Sequence, residues 1–161
     1  VKILRRVICV LETTKGVIRI RLFPDEAPIH SANFVKLIQD GFYDGLLFHR
    51  VIDDFMSQGG DPMGDGSGGP GYDLPAEINL THAAGRVAAA RLGDSVNPRR
   101  YSSGSQFYMC RSTEGCARLD GQYTVFGEIV EGRDVNLALR VTEVGVEPDR
   151  IIRAWVEYVV Y

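Results

Sequence analysis

Val17-Ile18-Arg19-Ile20-Arg21-Leu22 sets an aliphatic side chain at 18, 20 and 22 with arginine between them, and that period of two marks a strand with one dry and one wet face. Lys15-Gly16 just before it reads as a tight turn, so the apolar stretch Val7 to Leu11 ahead of the turn becomes its antiparallel neighbour. The chain opens as a β-hairpin. Next, Pro24 to Pro28 supplies helix-start chemistry with Asp25 and Glu26 near the N-terminus, and Phe34, Leu37 and Ile38 recur at helical spacing before Gly41. This predicts an amphipathic helix ending at about Asp40. Short apolar segments follow at Leu46 to Ile52, Phe55 to Gln58, Val87 to Ala90, Phe107 to Cys110 and Val125 to Val130. Val135, Ala138 and Leu139 predict a second short helix, and Ile152, Ala154, Val156, Tyr158 and Val160 form the apolar face of a long final strand. Many short strands and two helices, without regular strand-helix alternation, favour an antiparallel barrel or sandwich over a parallel α/β sheet. No repeat or linker divides residues 1–161, which read as one domain.

Composition narrows the function. Eighteen Lys and Arg against 21 Asp and Glu give a formal charge of −3, which disfavours a nucleic-acid binder with its concentrated basic face. No apolar run approaches the roughly 20 residues that cross a bilayer, and the first thirty residues lack the pattern of a signal peptide. A soluble chain is expected, with no membrane partner; its start at Val1 leaves an upstream targeting segment open. Cys9, Cys110 and Cys116 lack close paired spacing and read as three free thiols in a reducing compartment, hence the cytoplasm. Asn79-Leu80-Thr81 has the form of a glycosylation sequon, which carries meaning only in a secretory setting.

Conventional catalytic and metal-binding patterns are sparse in this chain. Gly64-Asp65-Gly66-Ser67-Gly68-Gly69 fits G-x-G-x-x-G, but Pro70 and Gly71 follow where a helix would have to begin, so a loop using positive φ angles is the better reading. His30, His49 and His82 show no i, i+4 pairing for a metal. Ser102, Ser103 and Ser105 flank Gly104 without a nucleophile elbow, and Asp53, Asp54, Asp61 and Asp65 lack the spacing of a calcium loop.

What remains is Phe48-His49-Arg50-Val51-Ile52, Phe55-Met56-Ser57-Gln58-Gly59-Gly60-Asp61, the loop Gly66-Ser67-Gly68-Gly69, Gly104-Ser105-Gln106-Phe107-Tyr108, and Leu119-Asp120-Gly121 with Val125-Phe126-Gly127. In order and approximate spacing, from about Val17 to Glu143, these strings resemble the cyclophilin family of peptidyl-prolyl cis/trans isomerases. The resemblance implies a mainly β fold, a closed eight-stranded antiparallel β-barrel capped by two α-helices. It implies an isomerase of X-Pro bonds that needs no cofactor or metal, assists folding, and takes proline-containing peptides and flexible or unfolded segments as partners. A proline-peptide binding or scaffold module without turnover is the alternative.

The resemblance also assigns residues. Arg50, Phe55 and Gln58 fall at catalytic positions: a guanidinium directed at the twisted imide, a pocket wall, and an amide that positions both arginine and substrate. Met56, Tyr108 and Leu119 match the proline pocket; Gln106, Ala90 and Arg91 match the groove holding substrate backbone; Gly66 matches its rim and Tyr123 a substrate-binding position often occupied by histidine. From periodicity alone, Arg50 reads equally as half of a structural salt bridge with a nearby Asp, and Phe55 and Met56 as plain core. Strand alternation independently sets Gln106 and Tyr108 on one face and Phe107 on the other, toward the core. Arg118 stands where many members carry tryptophan, which implies weakened cyclosporin binding. The thirteen residues Arg91 to Ser103 form a longer connection than in compact members, either tuning substrate choice or standing as a tolerated surface insertion.

Overall fold

A computed structural model describes residues 3–159. The strands are β1 (Val7–Thr13), β2 (Gly16–Leu22), β3 (Arg50–Ile52), β4 (Met56–Gly59), β5 (Asp73–Leu74), β6 (Arg86–Ala89), β7 (Ser102–Ser103), β8 (Phe107–Cys110), β9 (Val125–Glu131) and β10 (Ile151–Tyr158). The helices are α1 (Pro28–Gln39), α2 (Thr113–Cys116) and α3 (Arg133–Ala138), with a 3-10 turn at Ala117–Leu119. Eight strands form one antiparallel sheet in the order β10-β1-β2-β9-β6-β8-β4-β3, and β5 pairs with β7 apart from it. The sheet curls into a half-barrel that no ladder closes. Its two edges are instead stitched by the Leu47–Arg150 bridge and by Phe48 N–H to Asp149 C=O at 2.8 Å. The closed barrel that the family resemblance implies is thus an open one, because β3 is only three residues long and the chain from 45 to 49 meets the other edge as single bonds rather than as a strand.

The opening hairpin forms as read, with Ile18, Ile20 and Leu22 buried against Cys9 and Leu11. Alternation fails in β10. Between Glu12 and Thr13 the β1–β10 register skips Ile152, so Ile151 and Ala154 turn inward while Ile152 is 49% exposed; a bulge advances the pleat by one residue. The expected apolar face therefore loses Ile152, and Tyr158 is exposed at the strand's end. Val160 lies outside the described residues.

Helix α1 carries Pro28 in its first turn and buries Phe34, Val35, Leu37 and Ile38. Its free N-terminal amides are not met by Asp25 or Glu26. They are met by Glu77, whose carboxylate accepts from Ile29 N–H at 3.1 Å and His30 N–H at 2.9 Å, an anion at the positive end of the helix. Phe34, Tyr43, Phe107 and Phe126 pack around it with ring centroids 5.1–5.5 Å apart.

The sheet has two dry faces. On β8, Phe107 and Met109 enter the main core, while Tyr108 and Cys110 enter a second cluster with Met56, Ala88, Cys116 and Val125. On β6, Val87 and Ala89 go one way and Ala88 the other. Burial on both sides explains why these strands read as continuous apolar runs. Phe55, Ala90, Leu119 and Tyr123 pack half-buried on the second cluster, and there the molecule opens.

The expectation of three free thiols is corrected. Cys110 and Cys116 form a disulfide: β8 ends at Cys110, Ser112 caps α2 by accepting from Gly115 N–H at 3.1 Å, and the returning turn brings the two Cα atoms to 6.2 Å, within bridging reach. Cys9 alone is free among the cysteines, buried with its thiol pushed up to about 12. A bridged Cys110–Cys116 pair removes the ground for reading a reducing compartment from three free thiols.

Candidate active site

Register builds the site. Arg50 on β3 lies opposite Gln58 on β4, Gln58 opposite Tyr108 on β8, and Tyr108 opposite Ala88 on β6. One cross-strand row thus joins residues far apart in the chain. Asp54, at φ 56, turns β3 into β4, a left-handed conformation that Asp tolerates, and leaves Phe55 at the head of β4. Gly115 lets α2 close against this turn, since a Cβ there would lie 2.0 Å from Asp54 O. Gly60 has φ +91, and a Cβ would lie 2.3 Å from Ser105 O, so glycine is what allows the chain after β4 to meet the chain before β8. Ser105 Oγ–H donates to Gly60 C=O at 2.7 Å and fastens them.

Arg50, Phe55, Met56, Gln58, Ala90, Arg91, Tyr108, Leu119 and Tyr123 surround a pocket of about 150 Å³. Its floor is apolar: Met56 and Tyr108 are buried, and Tyr108 meets Tyr123 edge to face at 5.9 Å. At the mouth, Arg50 Nη1 donates to Gln58 Oε1 at 3.4 Å, Gln58 Nε2 to Gln106 Oε1 at 3.1 Å, and Gln106 Nε2 to Gly66 C=O at 2.9 Å and Gly68 C=O at 2.8 Å. The chain of donors runs in one direction, from the guanidinium to the glycine loop, so both amide orientations are fixed. Arg50 is exposed and makes no ion pair among the described residues; the salt bridge that periodicity left open is absent there. An always-charged fork held beside a partly dry cavity can stabilise electron density that develops on a bound molecule.

Arg91 sits differently. Its side chain is 3% exposed, donating to Gln122 C=O and Leu92 C=O at 2.8 Å each, pairing with Asp94 at 3.0 Å and stacking over Tyr123 at 4.4 Å. It braces the wall between two cavities rather than offering a free donor. The second cavity, about 280 Å³, shares Gln58, Ala90 and Arg91 with the first and is walled by Leu92, Val96, Asn97 and Tyr101 of the long connection, with Gly66 and Gln106 opposite. That connection is braced from within: Asn97 Nδ2 donates to Tyr101 C=O at 2.8 Å and Arg100 pairs with Asp94 at 3.1 Å. Arg118 stacks its guanidinium 4.5 Å over the Phe55 ring on the rim.

Sequence reasoning considered His82 only as a metal ligand. In the fold it lies behind the pocket, its Nε2 2.7 Å from the Tyr108 hydroxyl and its Nδ1 2.8 Å from Asp120 Oδ1. No spacing signal marks these three residues. Among the described residues no group of His, Cys, Asp and Glu is arranged to hold a metal.

Comparison with known proteins places this geometry. The profile of the family described as cyclophilin type peptidyl-prolyl cis-trans isomerase/CLD matches residues 8–156. A peptidyl-prolyl cis-trans isomerase of Synechococcus elongatus is 53% identical over 120 residues, 74% of this chain and 77% of its own length. Peptidyl-prolyl cis-trans isomerase B of Bacillus subtilis is 44% identical over 118 residues, 71% of this chain and 77% of its own. Among solved structures, a cyclophilin type peptidyl-prolyl cis-trans isomerase of Cryptosporidium parvum, crystallised in the presence of the dipeptide Ala-Pro, superposes with a TM-score of 0.81 at 26% identity, covering 93% of this chain and 98% of that one.

Proposed function

The chain belongs to the cyclophilin-type peptidyl-prolyl cis-trans isomerases and is an enzyme of that class; on that premise we propose that it works by holding proline in the Met56–Tyr108–Leu119 pocket while Arg50 stabilises the twisted imide. The X-Pro isomers lie within about 0.5–1 kcal/mol of each other yet exchange in tens to hundreds of seconds at 25 °C. The barrier, about 20 kcal/mol, is loss of amide resonance. No covalent bond breaks, so the catalyst needs no nucleophile. At the top of the barrier the proline nitrogen regains a lone pair and accepts a hydrogen bond that the planar amide cannot, which makes a donor aimed there selective for the transition state.

The observation that carries this reading is the Arg50–Gln58–Gln106 chain at the mouth of an apolar pocket, with the guanidinium in no ion pair among the described residues. Gln58 and Gln106 orient the arginine; Phe55 and Leu119 exclude water on the far side. Proline-containing peptides and flexible segments of folding chains are the proposed substrates, in keeping with the Ala-Pro dipeptide of the Cryptosporidium parvum relative. The Leu92, Val96 and Tyr101 wall is proposed to tune which residues beside the proline are accepted. An NMR titration with an Ala-Pro peptide tests it: exchange broadening centred on Arg50, Gln58, Tyr108 and Tyr123 supports the reading, and perturbation confined to another face sinks it.

A further inference from the structure

We propose that Asp120 and His82 are positioning residues which hold Tyr108 by its phenol hydroxyl in the wall of the proline pocket. The inference rests on the pocket being where proline docks. Asp120 Oδ1 accepts from the backbone N–H of His82 at 2.6 Å and faces Nδ1 of the same residue at 2.8 Å. An ionised carboxylate can only accept, so Nδ1 must carry the proton of the neutral ring, and Nε2 is left as an acceptor. The Tyr108 hydroxyl, 2.7 Å away, is then the donor. The phenol and imidazole planes lie within 4° of each other, and the His82 side chain is fully buried. One carboxylate thereby fixes a tautomer, the tautomer fixes a hydroxyl, and the hydroxyl fixes the ring that faces the cavity.

The arrangement also ties two walls together. Asp120 directly follows Leu119, so the bond through His82 links the Leu119 turn to β8, and both Leu119 and Tyr108 line the pocket. A phenylalanine at 108 would fill the same space without any such tether.

The charged and titratable groups facing His82 are Asp120, Arg86 at the start of β6, and the Tyr108 phenol. Burial holds the imidazole below its ordinary range, assisted by Arg86 and opposed by Asp120, so the ring is neutral at pH 7. Burial also raises the phenol's pKa, and it stays protonated. In this state the phenol donates to Nε2, and the tether runs unbroken from Asp120 through the ring to Tyr108.

Two measurements on the whole protein test this. Nitrogen-15 NMR of the histidines at pH 7 should find His82 as the Nδ1–H tautomer with Nε2 accepting a hydrogen bond; the Nε2–H tautomer overturns the proposal. Peptide exchange measured by NMR, which needs no coupling protease, separates KM from kcat. Tyr108→Phe should raise KM at pH 7 by roughly 2- to 12-fold with kcat changing less, the range for one hydrogen bond. Asp120→Ala, which removes the acceptor that fixes Nδ1–H, should raise KM in the wild-type background and add nothing to Tyr108→Phe. A Tyr108→Phe variant with the wild-type KM refutes the link. Failure of Arg50 to act as the donor would leave the tautomer and the Tyr108→Phe contrast intact, so the two readings fail separately.

Discussion

Replacing Arg50 with alanine separates catalysis from folding. Its side chain is exposed, makes no ion pair among the described residues, and forms one long hydrogen bond of 3.4 Å to Gln58, so its removal should change stability by no more than about 0.5 kcal/mol. Gln58 keeps its bond to Gln106 at 3.1 Å, and Gln106 its two bonds to the glycine loop, so the pocket wall stays in place. The transition state loses a charged donor. Hydrogen bonds to charged groups contribute about 1.5–3 kcal/mol, which converts to a loss of roughly 10- to 150-fold in kcat/KM. The planar ground-state amide offers its nitrogen no comparable acceptor, so the loss should fall on kcat with KM little moved. Arg50→Lys, a compact charge without the fork, should recover only part of it. The assay is exchange of a Xaa-Pro peptide by NMR, beside urea denaturation of each variant. A folded Arg50→Ala protein with wild-type kcat/KM refutes the donor mechanism.

Thiol titration of the unfolded, unreduced protein should count one free group, Cys9, and three after reduction; three before reduction contradicts the bridge. Closing so short a loop contributes about 2 kcal/mol on the chain-entropy scale, and reduction should lower the urea midpoint accordingly. His30, His49 and His82 are all held below the ordinary histidine value, in each case chiefly by burial. The unfolded chain therefore binds more protons than the folded one below about pH 6.5, so stability should be fully present above that pH and decline as it falls toward 5; a urea midpoint that is level or rises over this range counts against it. Arg118 offers the rim a flexible, hydrated cation stacked on Phe55, where tryptophan gives a rigid ring. Arg118→Trp should therefore tighten cyclosporin binding by about 1–3 kcal/mol in calorimetry, and equal affinities sink the idea that this position sets sensitivity.

Local periodicity and motif strings carried part of this protein's structure in a form readable from the chain alone. Alternation at Ile18, Ile20 and Leu22 gave the hairpin, and Phe34, Leu37 and Ile38 gave the helix to its end near Asp40. Alternation also sent Phe107 to the core and Tyr108 to the other face. The strings around Arg50, Gln58 and Gln106 pointed to the family that the profile match then established. Such features are legible because each is set by neighbours within a turn or a pleat.

Features set by register and by chain return emerged with the packed fold. The row Arg50–Gln58–Tyr108 exists because three strands pair in one alignment, and a slip of one residue in any of them would send its member to the opposite face. Glu77 caps a helix that begins 49 residues before it, by filling amides that no neighbouring side chain reaches. The bulge at Ile152 took that residue out of the apolar face that alternation had assigned to it, while Ala154 and Val156 kept theirs. Cys110 and Cys116 paired because the capped turn of α2 reversed the chain between them. The Asp120–His82–Tyr108 contacts join two loops and a strand. None of these leaves a periodic trace, since a hydrogen bond is decided by which groups the packed core brings within 3 Å and not by their separation along the chain.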